Sequence, residues 1–266
     1  MSTARQRSAP GAHTRQDSTP DTAVQQLEER CIRLYTEEAP RYDQHRFGDW
    51  KGRFVERHIA RLLRQTIRMA PGTRVLDVAT GTGRAALVLA EGGGQVIGID
   101  LVEAMLRAAH DKADRRTLSN AHFAVANARQ LPFAEQSFDV LVCLRFFHFI
   151  PHPLRRAILV EMLRVVRPGG LLVLEFVNPF YGAIGALYRH VRATRTPMYL
   201  WPSQTKTLFA GADLLHVIGT YFPCAQRVAR LHGPLGEALL ELCRHFPWKH
   251  LASEKWYVLR KVPPPG

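Results

Sequence analysis

Val75-Leu76-Asp77-Val78-Ala79-Thr80-Gly81-Thr82-Gly83-Arg84-Ala85-Ala86 reads as a buried strand that runs through a glycine turn into an apolar helix. Val75, Leu76 and Val78 are the β-branched and aliphatic residues such a strand needs, and Leu87, Val88, Leu89 and Ala90 carry the helix on. Gly81 and Gly83 allow backbone conformations closed to residues with a side chain, so a ligand can approach the peptide itself. The pattern predicts a nucleotide-sized cleft at the carboxyl end of the strand.

The choice of nucleotide turns on Asp77. Gly81, Gly83 and Ala86 also satisfy the G-x-G-x-x-G/A dinucleotide fingerprint, with Asp100 as the ribose acid downstream. A pyrophosphate at this turn would face an unpaired carboxylate, whereas S-adenosylmethionine (SAM) carries no phosphate. Its ammonium and sulfonium gain from a nearby negative charge. Asp77 therefore favours SAM over NAD.

Outward from this turn, Val96-Ile97-Gly98-Ile99-Asp100 is a second strand ending in an acid whose two oxygens suit the vicinal hydroxyls of a ribose. A third strand, from Phe123, leads into Asn127-Ala128-Arg129-Gln130-Leu131-Pro132-Phe133, where an amide can pair with the edge of adenine. Phe138–Leu144 is a fourth strand, and Val165–Glu175 is a helix end, a turn at Pro168-Gly169-Gly170 and a fifth strand. Alternating strands and helices of this length imply parallel pairing with right-handed crossovers.

The ordered set DVATGTGR, GID, NARQLPF, SFDVLV and RVVRPGGLLVLEF over residues 73–178 resembles the class I SAM-dependent methyltransferases, in the branch that includes the ubiquinone and menaquinone C-methyltransferases. The resemblance implies an α/β Rossmann-like, doubly wound seven-stranded sheet, mostly parallel with the last strand antiparallel and helices on both faces. It also implies that Asp77, Ala79, Thr80, Gly81, Thr82 and Gly83 hold the methionyl part of SAM and Asp100 the ribose. Leu101, Asn127 and Ala128 would hold the adenine, with Leu144 at the same site. The family often has Gly at the place of Ala79 and Asp at that of Asn127, which keeps an acceptor oxygen. Tyr42-Asp43 corresponds to an N-terminal Tyr-Asp pair that borders the cofactor. Met105 is either an adenine contact, as in similar enzymes, or a core residue.

His148, in Arg145-Phe146-Phe147-His148-Phe149, lies just past the fourth strand and is the candidate general base of the core. The alternative is a histidine packed among three phenylalanines. Methyl transfer mainly requires alignment of nucleophile, methyl and sulfur, with a base only where the nucleophile must lose a proton.

Residues 1–21, nearly free of large apolar side chains, read as a disordered tail, and residues 22–262 as the methyltransferase domain. Within it, residues 22–70 form a helical cap: Val24, Leu27, Cys31, Leu34 and Tyr35 recur at helical spacing, Ala39–Asp43 breaks the helix, and a second runs from Trp50 to Met69. Between Asn178 and Gly211 the alternation stops, and aromatics among arginines over residues 179–211 suit a substrate lid or a surface helix that completes the core. Leu214–Gly219 and Trp256–Lys261 read as the sixth and seventh strands, with a helix around Leu235–Cys243 between them.

The four cysteines are scattered, with no C-x-x-C pair and no histidine at ligand spacing, so no metal is expected. No apolar run reaches the roughly 20 residues of a membrane span and no secretory signal stands near the start, so a cytoplasmic protein is expected. The net charge is +13, and residues 179–266 alone hold 11 Lys plus Arg against 4 Asp plus Glu. Such a bias suits an anionic substrate, an anionic membrane surface or nucleic acid, or is a solvated positive face.

The leading function is methyl transfer from SAM to a small-molecule acceptor, a quinol or another lipid-like or specialised metabolite. The alternatives are a nucleic-acid-directed methyltransferase and an NAD-dependent oxidoreductase. Leu144-Arg145-Phe146-Phe147 stands where base-directed enzymes carry Asn/Asp-Pro-Pro-Tyr/Phe, which argues against the former. The oligomeric state is not legible.

Overall fold

Residues 20–179, 199–221, 238 and 252–263 are described by a computed structural model. From Arg74 to Val177 the chain alternates as the pattern predicts: β1 (Arg74–Val78), α4 (Arg84–Glu91), β2 (Gln95–Asp100), α5 (Glu103–Arg115), β3 (Ala121–Val125), β4 (Phe138–Cys143), α6 (His152–Val165) and β5 (Val166–Val177). Ahead of it stand α1 (Pro20–Glu38), α2 (Tyr42–Phe47) and α3 (Trp50–Thr66), and after it α7 (Pro202–Leu208), β6 (Ala212–Tyr221) and β7 (Glu254–Lys261).

The strands form one sheet in the order β3-β2-β1-β4-β5-β7-β6. β1 pairs in parallel with β2 and β4, β2 with β3, and β4 with β5. β7 inserts antiparallel between β5 and β6, as the resemblance implies. The order reverses between β2 and β4 on either side of β1, so the crevice opens at the carboxyl end of β1.

Each central strand sends alternate residues to opposite faces, and both faces are covered. Leu76 and Val78 of β1 pack with Leu141, Leu172 and the α6 residues Ile158, Leu159 and Met162. Val75 packs on the other face with Leu62 and Leu63 of α3, Leu87 and Leu89 of α4, and Trp256 of β7. Truncating one such buried leucine to alanine costs about 2–5 kcal/mol.

Four expectations change in detail. Tyr42 and Asp43 lie in α2 after a short 3-10 turn at Ala39–Arg41, not in a loop. The long helix from Trp50 stops at Thr66 because Ile67 turns extended (φ −111°, ψ 109°) to bury its side chain in the core. The Pro168-Gly169-Gly170 turn lies inside β5, where pairing with β4 jumps from Phe138↔Val166 to Val140↔Leu171 and Gly169 takes φ +74°. The end of the expected lid is core: Leu200, Leu208 and Phe209 pack against the α6 face, and Arg155 donates to Tyr199 O at 2.8 Å. The aromatic and basic residues from Phe180 to Met198, the tail to residue 19 and the helix expected around Leu235–Cys243 lie outside the described residues.

Candidate functional site

A cavity of about 230 Å³ opens at the carboxyl edge of β1, β2 and β4, and α1 covers it with Leu27, Glu28, Cys31 and Tyr35. Its wall contains Tyr42, Asp77, Ala79, Thr80, Gly81, Thr82, Asp100, Leu101, Met105, Asn127, Ala128, Leu144 and His148. Gly83 stands behind the wall. It takes φ +78°, and a Cβ there would meet Ala109 Cβ at 2.9 Å, so it permits α5 to approach the turn.

At the turn, Asp77 is paired rather than free. Its Oδ2 accepts from Thr80 Oγ1 at 2.6 Å and from Ala86 N–H in the first turn of α4 at 3.1 Å. A carboxylate 2% exposed needs such donors, and this one also caps the helix. Burial pushes its carboxyl up to about 7, against the pull of the Thr80 and Ala86 bonds. Asp100 accepts Gly81 N–H on Oδ2 (2.9 Å) and Val102 N–H on Oδ1 (3.0 Å), so both oxygens are oriented and each retains accepting capacity. Burial raises its carboxyl as well, opposed by these backbone bonds.

Ala79 sits at φ +57°, the left-handed region in which the family often places glycine. Thr82 donates to Asp43 Oδ1 at 2.7 Å, and Lys112 of α5 pairs with Asp43 Oδ2 at 2.7 Å. Tyr42 packs edge-on against Tyr35 with ring centroids 6.2 Å apart. Met105, 3% exposed, is both core and wall, joining the two readings. The Asn127 amide donates to Glu28 Oε1 at 3.0 Å and accepts Arg129 N–H at 2.9 Å, which ties α1 to the loop after β3.

His148 lies in the wall against Phe149, ring centroids 3.9 Å apart. Burial first, then the cations of Arg145, Arg155 and Arg46, push its imidazole down to about 3. Its neutral ring therefore persists through the physiological range.

Sequence reasoning passed over Glu28, Arg84, Arg145, Glu175, Thr220 and Glu254, all of which the structure brings to the wall. Glu28 carried a signal, one position after Leu27 on the cavity-facing stripe of α1. The others come from separate segments whose convergence depends on the sheet order.

The residues present fit SAM. Gly81 opens onto free space where a Cβ would stand, and the half-buried Asp100 carboxylate is held at the neighbouring strand tip by the N–H groups of Gly81 and Val102.

A methyltransferase-domain family matches residues 75–170. A demethylmenaquinone methyltransferase of Thermus thermophilus is 39% identical over 167 residues, covering 59% of this chain and 70% of the relative. One of Geobacillus kaustophilus is 30% identical, covering 72% of this chain and 86% of the relative. Over the first three relatives the match spans 48–70% of their own length. The solved phosphoethanolamine N-methyltransferase 1 of Haemonchus contortus shares the fold at a TM-score of 0.69 and 14% identity, over 96% of this chain and 52% of that one. With its cofactor motifs on the wall of one cavity and these relatives matched through them, the chain belongs to the class I SAM-dependent methyltransferases, in the branch of the demethylmenaquinone and ubiquinone/menaquinone C-methyltransferases.

Proposed function

We propose that the chain methylates a ring carbon of a reduced quinone that carries an apolar side chain. The observation behind this reading is the continuity of the cavity. Past Leu144, the wall that begins with the cofactor motifs carries Phe146, Phe149, Ile150 and Leu154, with polar groups such as Arg145 and His148 set among them. An apolar acceptor gains about 25 cal/mol for each Å² it buries against such a wall. The names of the Thermus and Geobacillus relatives support the same acceptor class, and they favour neither nucleic acid nor NAD.

In this reading Asp77, Ala79, Thr80, Gly81 and Thr82 hold the methionyl part of SAM, with Gly83 shaping the turn from behind. Asp100 holds the ribose, and Leu101, Met105, Asn127 and Ala128 the adenine. Tyr42 closes one side, Leu144 borders the sulfur, and His148 meets the acceptor as a neutral imidazole. Bound SAM supplies a methyl group on a good leaving group. The chain's own task is to hold the ring carbon in line with it and to exclude water, which α1 and the phenylalanines do. A net charge of +13 suits a cytoplasmic enzyme that meets an anionic membrane surface, where such acceptors reside. Among the described residues no helix is long and apolar enough to cross a membrane.

The test is incubation with methyl-labelled SAM and a short-chain demethylmenaquinol, following label into the quinol. Label on a ring carbon, with S-adenosylhomocysteine formed in step, supports the reading. Intact SAM binding with no label transferred to the quinol overturns it.

A further inference from the structure

β7 runs antiparallel to β5, so its first residue, Glu254, arrives at the edge of the sheet where β5 ends, paired with Val177. Arg145 after β4, Glu175 of β5, Thr220 of β6 and Glu254 of β7 all reach the cavity wall. Glu175 is engaged on both oxygens, accepting Arg145 N–H at 3.2 Å and Trp256 Nε1–H at 2.8 Å. Thr220 and Glu254 are not. Among the described residues the hydroxyl of Thr220, a residue only 3% exposed, has no partner, and no hydrogen bond reaches the half-buried Glu254 carboxylate. A buried hydroxyl is rarely left so, and beside a half-buried carboxylate on the same cavity wall it calls for a ligand that supplies both a donor and an acceptor.

Resting on the quinol reading above, we propose that Glu254 is the general base that takes the proton of the acceptor's ring hydroxyl, while Thr220 donates a hydrogen bond to the same oxygen. The hydroxyl proton passes to a Glu254 carboxylate oxygen. Its electron pair, delocalised into the ring, forms the bond from ring carbon to methyl, and the methyl–sulfur bond breaks with its pair left on sulfur. The ring carbon then loses its own hydrogen to water as a proton, and the oxygen recovers one from Glu254. The sum is a methylated quinol, S-adenosylhomocysteine and one released proton.

The charged groups facing Glu254 are Glu175 on β5, Arg145 after β4 and Arg84 on α4. Burial and then Glu175 push its carboxyl up to about 7, while the two guanidiniums pull it down. A base with that affinity takes and returns a proton near neutrality, which His148, pushed down to about 3, does not.

The test compares wild type with Glu254→Gln, Glu254→Asp and Thr220→Val on short-chain demethylmenaquinol, with SAM affinity measured by calorimetry. Expected are a wild-type kcat that rises with pH through a midpoint near neutrality and a Glu254→Gln kcat lower by about 10²- to 10⁴-fold without that limb. Glu254→Asp should keep the limb at reduced kcat, and Thr220→Val should raise KM, with SAM affinity within about twofold of wild type throughout. Should Glu254→Gln fail to fold, the limb in Glu254→Asp decides. Wild-type kcat and pH profile in Glu254→Gln, or loss of SAM affinity instead of turnover, overturns the proposal and leaves the quinol reading standing. A wild type that binds SAM and leaves the quinol unmethylated removes both.

Discussion

Asp77 Oδ2 accepts the backbone N–H of Ala86 at 3.1 Å, so the acid at the tip of β1 caps the helix beyond the glycine turn. Asp77→Ala is expected to destabilise the SAM-free protein by about 0.5–2 kcal/mol, the usual worth of an N-terminal cap. Urea unfolding without cofactor checks this. An unchanged midpoint would confine Asp77 to ligand binding.

Ala79 occupies left-handed backbone at φ +57°, which costs a residue with a Cβ more than it costs glycine. Ala79→Gly is therefore expected to raise stability by about 0.5–1 kcal/mol, after allowance for the looser unfolded chain. Thermal unfolding with calorimetric SAM binding is the measurement, with affinity retained.

Asp100 is oriented by the N–H groups of Gly81 and Val102. Removing it in Asp100→Ala is expected to weaken SAM binding by about 1–3 kcal/mol, the loss of a charge-assisted acceptor for the ribose hydroxyls. Equal affinity by calorimetry would take Asp100 out of the cofactor site.

His148 is held near pKa 3 when folded against 6.5 for a free imidazole, so between those values the unfolded chain binds more protons. Its contribution to stability is present above about pH 6.5 and is lost as pH falls toward 3. Urea unfolding from pH 8 to pH 4.5 should show a declining midpoint in the wild type and a shallower decline in His148→Phe. Parallel slopes would place the titration elsewhere.

The part of the cavity wall around the glycine turn was legible because it is local. Strand, glycine turn and acid follow one another within residues 75–100, and each acid announces a strand tip. The rest was not, because no short-range pattern joins Arg145, Glu175, Thr220 and Glu254. Glu254 precedes an apolar strand and reads as an ordinary boundary residue until β7 is known to run against β5. The helical spacing of Leu27, Cys31 and Tyr35 predicted a cap, while the Glu28–Asn127 contact that fastens it spans 99 positions and left no trace in the pattern.

One carboxylate, that of Asp43, bridges Thr82 in the glycine turn and Lys112 on α5. With α2 fastened to the turn and to α5 in this way, the roof of the cavity has a separate tether, for beyond the 3-10 turn at Ala39–Arg41 the α1 helix is held by Glu28 on Asn127 and Arg129.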